Sequence, residues 1–261
     1  MTGEALDILY SDEHLVVVDK PAGLLVHRSP IDRRETRFAL QIVRDQLGRR
    51  VYPAHRLDKP TSGALLFGLC PESAARLSGL FAGGEVEKAY LAVVRGVAAE
   101  HGVIDHPLAE RPEKLRDPRE GEPRRAITEY RRLAAVELPF AVGRYPTSRY
   151  SLVEARPRTG RRHQLRRHFK HVFHPIVGDT KYGEGRHNRF FREDLASSRM
   201  LLAAVEISFD HPFTGRRVSV PAPLSAGFRT VIDRLGWSGS VPSRWLARGE
   251  FGATIDSENG P

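Results

Sequence analysis

A lone acid lies among cations in the segment HRLDKPTSG, residues 55–63. Asp58 follows Arg56 and directly precedes Lys59, and the Pro-Thr-Ser-Gly sequence after Lys59 is typical of a turn. Two interpretations fit this pattern. Asp58 either closes a local ion pair on a surface turn, or it is a catalytic carboxylate that acts on a polyanion held by the neighbouring cations.

The charge of the whole chain favours a polyanionic partner. Of its 261 residues, 41 are Lys or Arg and 32 are Asp or Glu, which gives a formal net charge of +9. A balance of this sign is typical of proteins that bind nucleic acid or anionic surfaces. The single cysteine, Cys70, excludes an intrachain disulfide framework and a Cys-rich zinc site, so we expect a reducing, cytoplasmic setting. We predict no signal peptide and no membrane span, because the first residues are acidic and no apolar run approaches 18 residues.

Four histidines near residue 170 raise the question of a metal site. His163, His168, His171 and His174 lack the His-x-x-x-His spacing with an acidic neighbour that marks a zinc-binding helix. We therefore predict no metal. The glycines near them lack the spacing of a phosphate-binding loop, so we also predict no nucleotide cofactor.

Short apolar runs of strand length outnumber helical patterns, and the two kinds of element do not alternate regularly. We predict an α+β fold with a mixed, mostly antiparallel central sheet flanked by helices. Residues 184–199 are predicted to be irregular, the charged residues 109–125 to form a mobile surface loop, and residues 238–261 to form a poorly ordered tail after one domain, 1–237. The predicted helices are 37–48, 71–83, 161–173 and 225–236, and the predicted strands lie within 6–20, 64–70, 86–96, 126–138, 148–157 and 201–223.

Four segments, considered together, resemble the motifs of the RluA-type family of RNA pseudouridine synthases. That family's motifs read Lys-Pro-x-Gly, Arg-Leu-Asp-x-x-Thr-Ser-Gly, Lys-x-Tyr and Thr-Gly-Arg-x-His-Gln-Leu-Arg, in this order. The resemblance covers roughly residues 6–235, and the matching segments are KPAG at 20–23, HRLDKPTSG at 55–63, EKAYLAVVRG at 87–96, and RPRTGRRHQLRRH followed by HPIVGD within 156–179.

The resemblance implies an enzyme that isomerises a uridine of RNA to pseudouridine in a cleft across the sheet, with no cofactor and no metal. The segments LVHRSPIDRRE and QLRRHFKHVFHPIVGD are most similar to the branch that modifies position 65 of tRNA. Family members often carry an extra N-terminal RNA-binding domain, which we expect to be absent here. We expect a monomer. The alternatives are a ribosomal-RNA synthase of the same family, an inert RNA-binding protein and a nuclease.

The resemblance assigns catalytic roles to three residues. Asp58 matches the family's aspartate, which either attacks covalently or deprotonates the sugar to a glycal; both routes stay open. Tyr90 matches the tyrosine of Lys-x-Tyr and would stack on the uracil and handle the proton at C5. Arg166 matches the final arginine of the fourth motif. It would pair with Asp58, because a nearby guanidinium favours the charged form of a carboxyl in an apolar pocket.

The remaining predicted site residues bind RNA or support the loop. Arg56 is the candidate to enter the base stack when the uridine is flipped out, which costs a few kcal/mol. Residues Thr61, Ser62 and Gly63 are expected to hold the loop rather than perform chemistry. We predict phosphate contacts for four cations, Lys20, Arg161, Arg162 and Arg167.

Overall fold

The structure is a computed structural model that describes residues 5–28, 34–109 and 122–246. Its strands are β1 (Asp7–Ser11), β2 (Leu15–Lys20), β3 (Tyr52–Pro53), β4 (Ser62–Gly68), β5 (Glu87–Arg95), β6 (His101–Asp105), β7 (Leu108–Ala109), β8 (Pro123–Arg124), β9 (Ile127–Leu138), β10 (Ser148–Pro157), β11 (Leu202–Asp210) and β12 (Arg217–Pro221). Its α-helices are α1 (Ala39–Leu47), α2 (Pro71–Gly83), α3 (Gln164–His171), α4 (Gly185–Glu193) and α5 (Ala226–Arg234), and two single 3-10 turns cover Ser238–Ser240 and Ser243–Trp245.

The chain folds into two compact units. The first unit comprises Met1–Lys88, Ala204–Leu224 and Ser243–Pro261. Its strands follow the order β1-β2-β4-β11, with β12 on β11 and β3 on β4. β2 pairs antiparallel with β1 and β4, and β11 pairs antiparallel with β12. An apolar core cluster lies in this unit, and α2 contributes the fully buried Leu77 to it.

The second unit comprises Ala89–Ala203 and Ser225–Pro242. Its strands follow the order β5-β10-β9-β6, and each neighbouring pair is antiparallel. Helix α3 places Leu165 and Phe169 in the core of this unit. The predicted α+β class with a mostly antiparallel sheet is therefore confirmed.

Local signals predict the ends of α1 and α2 well. Gly48 and Gly84 cap the two helices with φ angles of +63° and +77°, a left-handed conformation in which glycine has no Cβ to clash. Pro71 begins α2, where its missing N–H costs nothing. The predicted hairpin tip also forms, with Gly215 at a φ of +68° between β11 and β12.

Three segments contain more regular structure in their described residues than the sequence predicted. The segment predicted to be irregular contains helix α4, whose Phe190 and Phe191 are both buried and anchor an otherwise polar helix. The segment 109–125 contributes to a short strand pair, since Leu108 pairs with Arg124, while residues 110–121 lie outside the described residues. Within the predicted tail, residues 238–246 contain two 3-10 turns and the fully buried Trp245, whose indole Nε1 donates to Glu206 Oε2 at 2.9 Å. Residues 247–261 lie outside the described residues.

No helix in the described part of the chain combines the length and the apolar character needed to cross a membrane.

Candidate active site

Asp58 lies on a loop that connects β3 to β4 in the first unit, residues 54–61, here called the Asp58 loop. Its side chain is half-buried. The amide of Thr61 donates to the Asp58 carbonyl at 3.0 Å, which closes the predicted turn. Thr61 and Ser62 are both buried, so they lie where a loop-supporting role requires. The carboxylate is thus carried by a turn whose end enters the sheet.

Lys20 is buried, which contradicts its predicted contact with phosphate. Its side chain has no exposed surface. Its ammonium Nζ donates to the carbonyl oxygens of Leu24 at 2.7 Å, Pro21 at 2.9 Å and Lys59 at 3.2 Å. A buried ammonium must be satisfied by such acceptors and is not available to a phosphate on the surface. Lys20 instead ties the KPAG segment to the Asp58 loop, together with a bond from the Gly23 amide to the Lys59 carbonyl at 2.8 Å.

Gly63 occupies the position where the Asp58 loop becomes β4. Its φ is +112°, and a Cβ at this position would lie 2.0 Å from the carbonyl oxygen of Ala204. Both facts exclude a side chain without a backbone shift. The glycine therefore allows a close approach of two backbone segments directly after the loop.

His55 supports the same loop, a role that was not predicted from the sequence. Its Nε2 accepts a hydrogen bond from the amide of Leu66 on β4 at 3.1 Å, and its ring stacks on Phe81 with 4.6 Å between centroids. Burial, aided by the charge of Lys88, lowers the pKa of His55 to about 3. The imidazole is therefore neutral and carries its proton on Nδ1. The only signal in the sequence was its place three residues before Asp58.

Cations flank the carboxylate as predicted from the sequence. Arg56 is exposed, so its side chain faces solvent two residues before Asp58. Lys59 Nζ pairs with Glu35 Oε1 at 2.9 Å, which connects the Asp58 loop to the segment before α1. Arg56 therefore lies where a substrate anion can reach it, whereas one acid already balances Lys59.

Tyr90 lies on β5 of the second unit, opposite Ala155 of β10. Its side chain is half-buried and packs against the core of that unit. Packing of this kind fixes the ring while part of it stays accessible. Such a tyrosine can present both a stacking face and a hydroxyl.

A hydrogen-bond network fixes the start of α3. The side chain of Gln164 accepts from the Arg161 amide at 3.0 Å and from the Thr159 hydroxyl at 2.7 Å, and it donates to the Ile127 carbonyl at 2.9 Å. His163 precedes the helix in the left-handed region, with a φ of +54°. The helix therefore begins at Gln164, three residues later than predicted.

Arg166 forms a buried ion pair with Asp179. Its Nε lies 2.7 Å from Oδ2 and its Nη2 lies 2.9 Å from Oδ1, and the two side chains are 6% and 0% exposed. Burial acts to raise the pKa of Asp179, but hydrogen bonds from Arg166 and the Tyr182 amide, with the charge of Arg166, outweigh burial and lower this pKa. Asp179 is therefore a carboxylate, and two of the guanidinium N–H groups are committed to it.

The segment around Asp179 is itself held in place. The Asp179 carboxylate accepts from the amides of Lys181 and Tyr182, and its carbonyl accepts from the side chain of Asn188 at 3.0 Å. The Arg166 guanidinium lies 5.1 Å from the centre of the Tyr182 ring, whose hydroxyl is 3.0 Å from His163 Nδ1. Arg166 is thus oriented by its partner and by an aromatic face.

The three arginines predicted to contact phosphate lie at the start of α3 and one turn along it. Arg161 and Arg167 each use part of the guanidinium within the second unit, on the carbonyls of Arg125 at 3.2 Å and Ala109 at 3.0 Å. Arg162, like the other two, is half-buried. Their contact with RNA stays a prediction.

Each of the two units carries side chains that can take part in chemistry. The first carries a half-buried carboxylate on a well-anchored loop, and the second carries an oriented guanidinium and a fixed tyrosine. These are the groups that acid–base or nucleophilic chemistry on an anionic substrate requires. Within residues 5–28, 34–109 and 122–246, no group of three or more His, Cys, Asp and Glu side chains is placed to hold a metal ion.

Comparisons with known proteins point to one family. The family model described as RNA pseudouridylate synthase matches residues 14–171. The chain is 48% identical over 239 residues to a Vibrio cholerae protein named tRNA pseudouridine synthase C, covering 90% of this chain and 98% of that one. It is 45% identical over 257 residues to the Yersinia pestis protein of the same name, covering 97% and 99%.

Solved structures agree with this result. Human RNA Pseudouridylate Synthase Domain Containing 4 superposes with a TM-score of 0.67 at 25% identity and covers 88% of this chain and 93% of its own. Human RNA Pseudouridylate Synthase Domain Containing 1 superposes with a TM-score of 0.64 at 29% identity, and the match covers 85% of this chain and 84% of that one.

Proposed function

Because the chain belongs to the RNA pseudouridylate synthase family, we propose that it isomerises one uridine of tRNA, at position 65, with Asp58 as the essential carboxylate. The observation that carries the proposal is the presence of Asp58 on an anchored loop within the matched region. The tRNA substrate is supported by the names of the relatives, which match nearly the whole chain.

The reaction defines what the residues must do. The bond between uracil N1 and ribose C1′ breaks, the uracil turns, and a bond forms between C5 and C1′. The proton at C5 leaves and N1 gains one, so nothing is oxidised. Asp58 acts at the sugar or the base, by covalent attack or by removal of a sugar proton to give a glycal. Tyr90 stacks on the uracil and mediates the loss of the C5 proton.

In this proposal, Arg166 keeps the Asp58 carboxylate charged and oriented. A carboxylate in a closed apolar site tends to protonate, and a guanidinium within ion-pair distance opposes this. The bonds to Asp179 use Nε and Nη2, and two parallel bonds of this kind fix the plane of the guanidinium. In this proposal Asp179 is therefore a positioning residue that orients the Arg166 guanidinium.

The free energy of RNA binding must offset the cost of flipping the uridine out of its helix. Flipping a nucleotide from a helix costs a few kcal/mol, and phosphate contacts offset it. Arg56 is exposed next to Asp58 and is the candidate to enter the vacated stack. Arg161, Arg162 and Arg167 would contact the phosphates around it.

The test uses tRNA transcripts and ribosomal-RNA fragments made with uridine that carries tritium at C5. Purified protein should release tritium from the tRNA alone, in the presence of EDTA, and the pseudouridine should map to position 65. Tritium release from ribosomal RNA alone would show that ribosomal RNA, and not tRNA, is the substrate. No release from any RNA despite binding would identify an inert binder, and strand cleavage that depends on a divalent metal would identify a nuclease.

A further inference from the structure

The connection between β9 and β10 exposes two aromatic side chains. Phe140 is 48% exposed and Tyr145 is 54% exposed. The connection is ordered, because Val142 bridges to Tyr145 and Gly143 turns the chain with a φ of +84°. Exposed aromatic rings on an ordered tip add little to the stability of the fold. Two exposed rings on one ordered tip form a candidate contact surface.

Arg144 packs against one of these rings, that of Tyr145. The guanidinium of Arg144 lies 4.9 Å from the centre of the Tyr145 ring, and its Nη2 donates to the Tyr145 hydroxyl at 2.7 Å. Both side chains are exposed. A guanidinium beside an aromatic ring offers two flat faces for stacking and N–H groups for phosphate or base oxygens.

Helix α4 extends this surface. The ring of Phe190 lies 5.2 Å from that of Phe140, and a Cβ at Gly143 would lie 3.3 Å from Arg186 Nη1. Arg186 is exposed. We call Phe140, Arg144, Tyr145 and Arg186 the aromatic–arginine surface.

Two acids near this surface are engaged in hydrogen bonds within the second unit. Glu137 Oε1 accepts from the Thr147 hydroxyl at 2.5 Å, and Glu184 Oε2 accepts from the His187 amide at 3.1 Å as the cap of α4. Arg189 and Arg192 of α4 are exposed and add positive charge. The surface therefore combines apolar rings with exposed guanidinium groups.

We propose that the aromatic–arginine surface binds an unpaired nucleotide of the RNA substrate, by stacking on Tyr145 and Phe140 and by a phosphate contact from Arg144. The proposal rests on the proposed function only in that it takes the partner to be RNA. Cations alone suffice for a paired backbone, whereas exposed rings gain contact only from bases that are splayed out of a helix. The occupant is therefore a nucleotide of a loop, bulge or end.

The test compares the dissociation constants of variants for a tRNA transcript and for a blunt RNA duplex. Phe140→Leu and Tyr145→Leu keep apolar volume but lose the stacking face, and each should weaken tRNA binding by about tenfold with an unchanged salt slope. Tyr145→Phe should bind as the wild type does. Arg144→Gln should reduce the slope of log K against log salt by about one. None of the aromatic variants should change duplex binding.

Two controls lie elsewhere in the second unit. Val103→Ser removes an exposed apolar side chain, 64% exposed on β6, and Arg229→Gln removes an exposed charge from α5; neither should alter preference for tRNA over duplex. Wild-type affinity in the Phe140→Leu, Tyr145→Leu double variant would overturn the inference, and so would an equal loss on tRNA and duplex. Tritium release by the wild type is scored separately, so failure of the proposed function is distinguishable from failure of this surface.

Discussion

The Arg166 guanidinium and the Asp179 carboxylate face each other edge to edge, with two parallel hydrogen bonds of 2.7 and 2.9 Å. Both side chains are buried, so neither can turn to water if the other is lost. A pair of this geometry orients the guanidinium more strictly than charge attraction alone would. The orientation of Arg166 is thus set before any substrate binds.

Loss of Asp179 should reduce both stability and activity. Asp179→Asn leaves a buried guanidinium without its counter-charge, and we expect it to lower the free energy of unfolding by about 3–5 kcal/mol. Urea denaturation measures this. The matched control is Asp45→Asn, which breaks an exposed pair with Arg44 and should leave the midpoint nearly unchanged. Equal midpoints for both variants would contradict the structural role of the buried pair.

Arg166→Lys separates the charge from the geometry. Lysine keeps the positive charge but cannot form the two parallel bonds, so kcat should fall by at least about tenfold while the dissociation constant for tRNA stays near that of the wild type. Single-turnover tritium release and equilibrium binding measure the two quantities. A variant with unaltered kcat would show that charge alone is sufficient.

Acid should destabilise the protein through His55. Its folded-state pKa, about 3, lies below the unfolded value near 6.5, so the unfolded chain binds the proton first. The stabilisation is complete above pH 6.5 and falls by up to about 1.4 kcal/mol per pH unit as the pH drops toward 3. The difference in unfolding free energy between wild type and His55→Gln, measured from pH 7 to pH 4, should show this slope. A constant difference would contradict the neutral state of the folded-state imidazole.

Gly63→Ala should be far more damaging than Gly48→Ala. Both glycines have positive φ, but a Cβ at Gly63 would lie 2.0 Å from the Ala204 carbonyl, whereas nothing lies within 4 Å of a Cβ at Gly48. We expect Gly48→Ala to lower the free energy of unfolding by about 1–2 kcal/mol. Gly63→Ala should lower it further and should also reduce activity. Thermal unfolding of the two variants makes the comparison, and similar losses would refute the close approach.

Lys20→Met distinguishes a structural lysine from a phosphate contact. The variant removes the ammonium that donates to the carbonyls of Pro21, Leu24 and Lys59. Each carbonyl left without a donor should lower the free energy of unfolding by about 1–3 kcal/mol. Stability and kcat should fall, and the salt slope of tRNA binding should not change. Lys170→Met, at an exposed position on α3, is the control for stability. A lower salt slope with full stability would restore the phosphate contact.

The parts of the fold that could be predicted are those with local causes. Pro71 and Gly84 delimit α2 through backbone geometry alone, and continuous apolar runs predicted the buried strands. Helix α4 was missed because its sequence is polar and its stability depends on burying Phe190 and Phe191 in the unit. The start of α3 was misplaced because a tertiary network through Gln164, rather than a local cap, determines it.

The same distinction between local and tertiary causes applies to the candidate active site. Motif resemblance predicted Asp58, Tyr90 and Arg166, but the partners that hold such residues are brought close only by folding. Lysine is rarely buried, so the burial of Lys20 against three carbonyls could not be read from its type. Asp179 ends the HPIVGD segment, yet its pairing with Arg166, 13 residues away, depends on the turn after α3.

The most direct measurement is tritium release from C5-labelled tRNA by Asp58→Asn, beside the wild type and at saturating protein. The substitution keeps the size of the side chain and removes its charge and nucleophilicity. We predict release at background level with circular dichroism and tRNA affinity unchanged. Release at the wild-type rate by Asp58→Asn would show that this carboxylate is not the catalytic group.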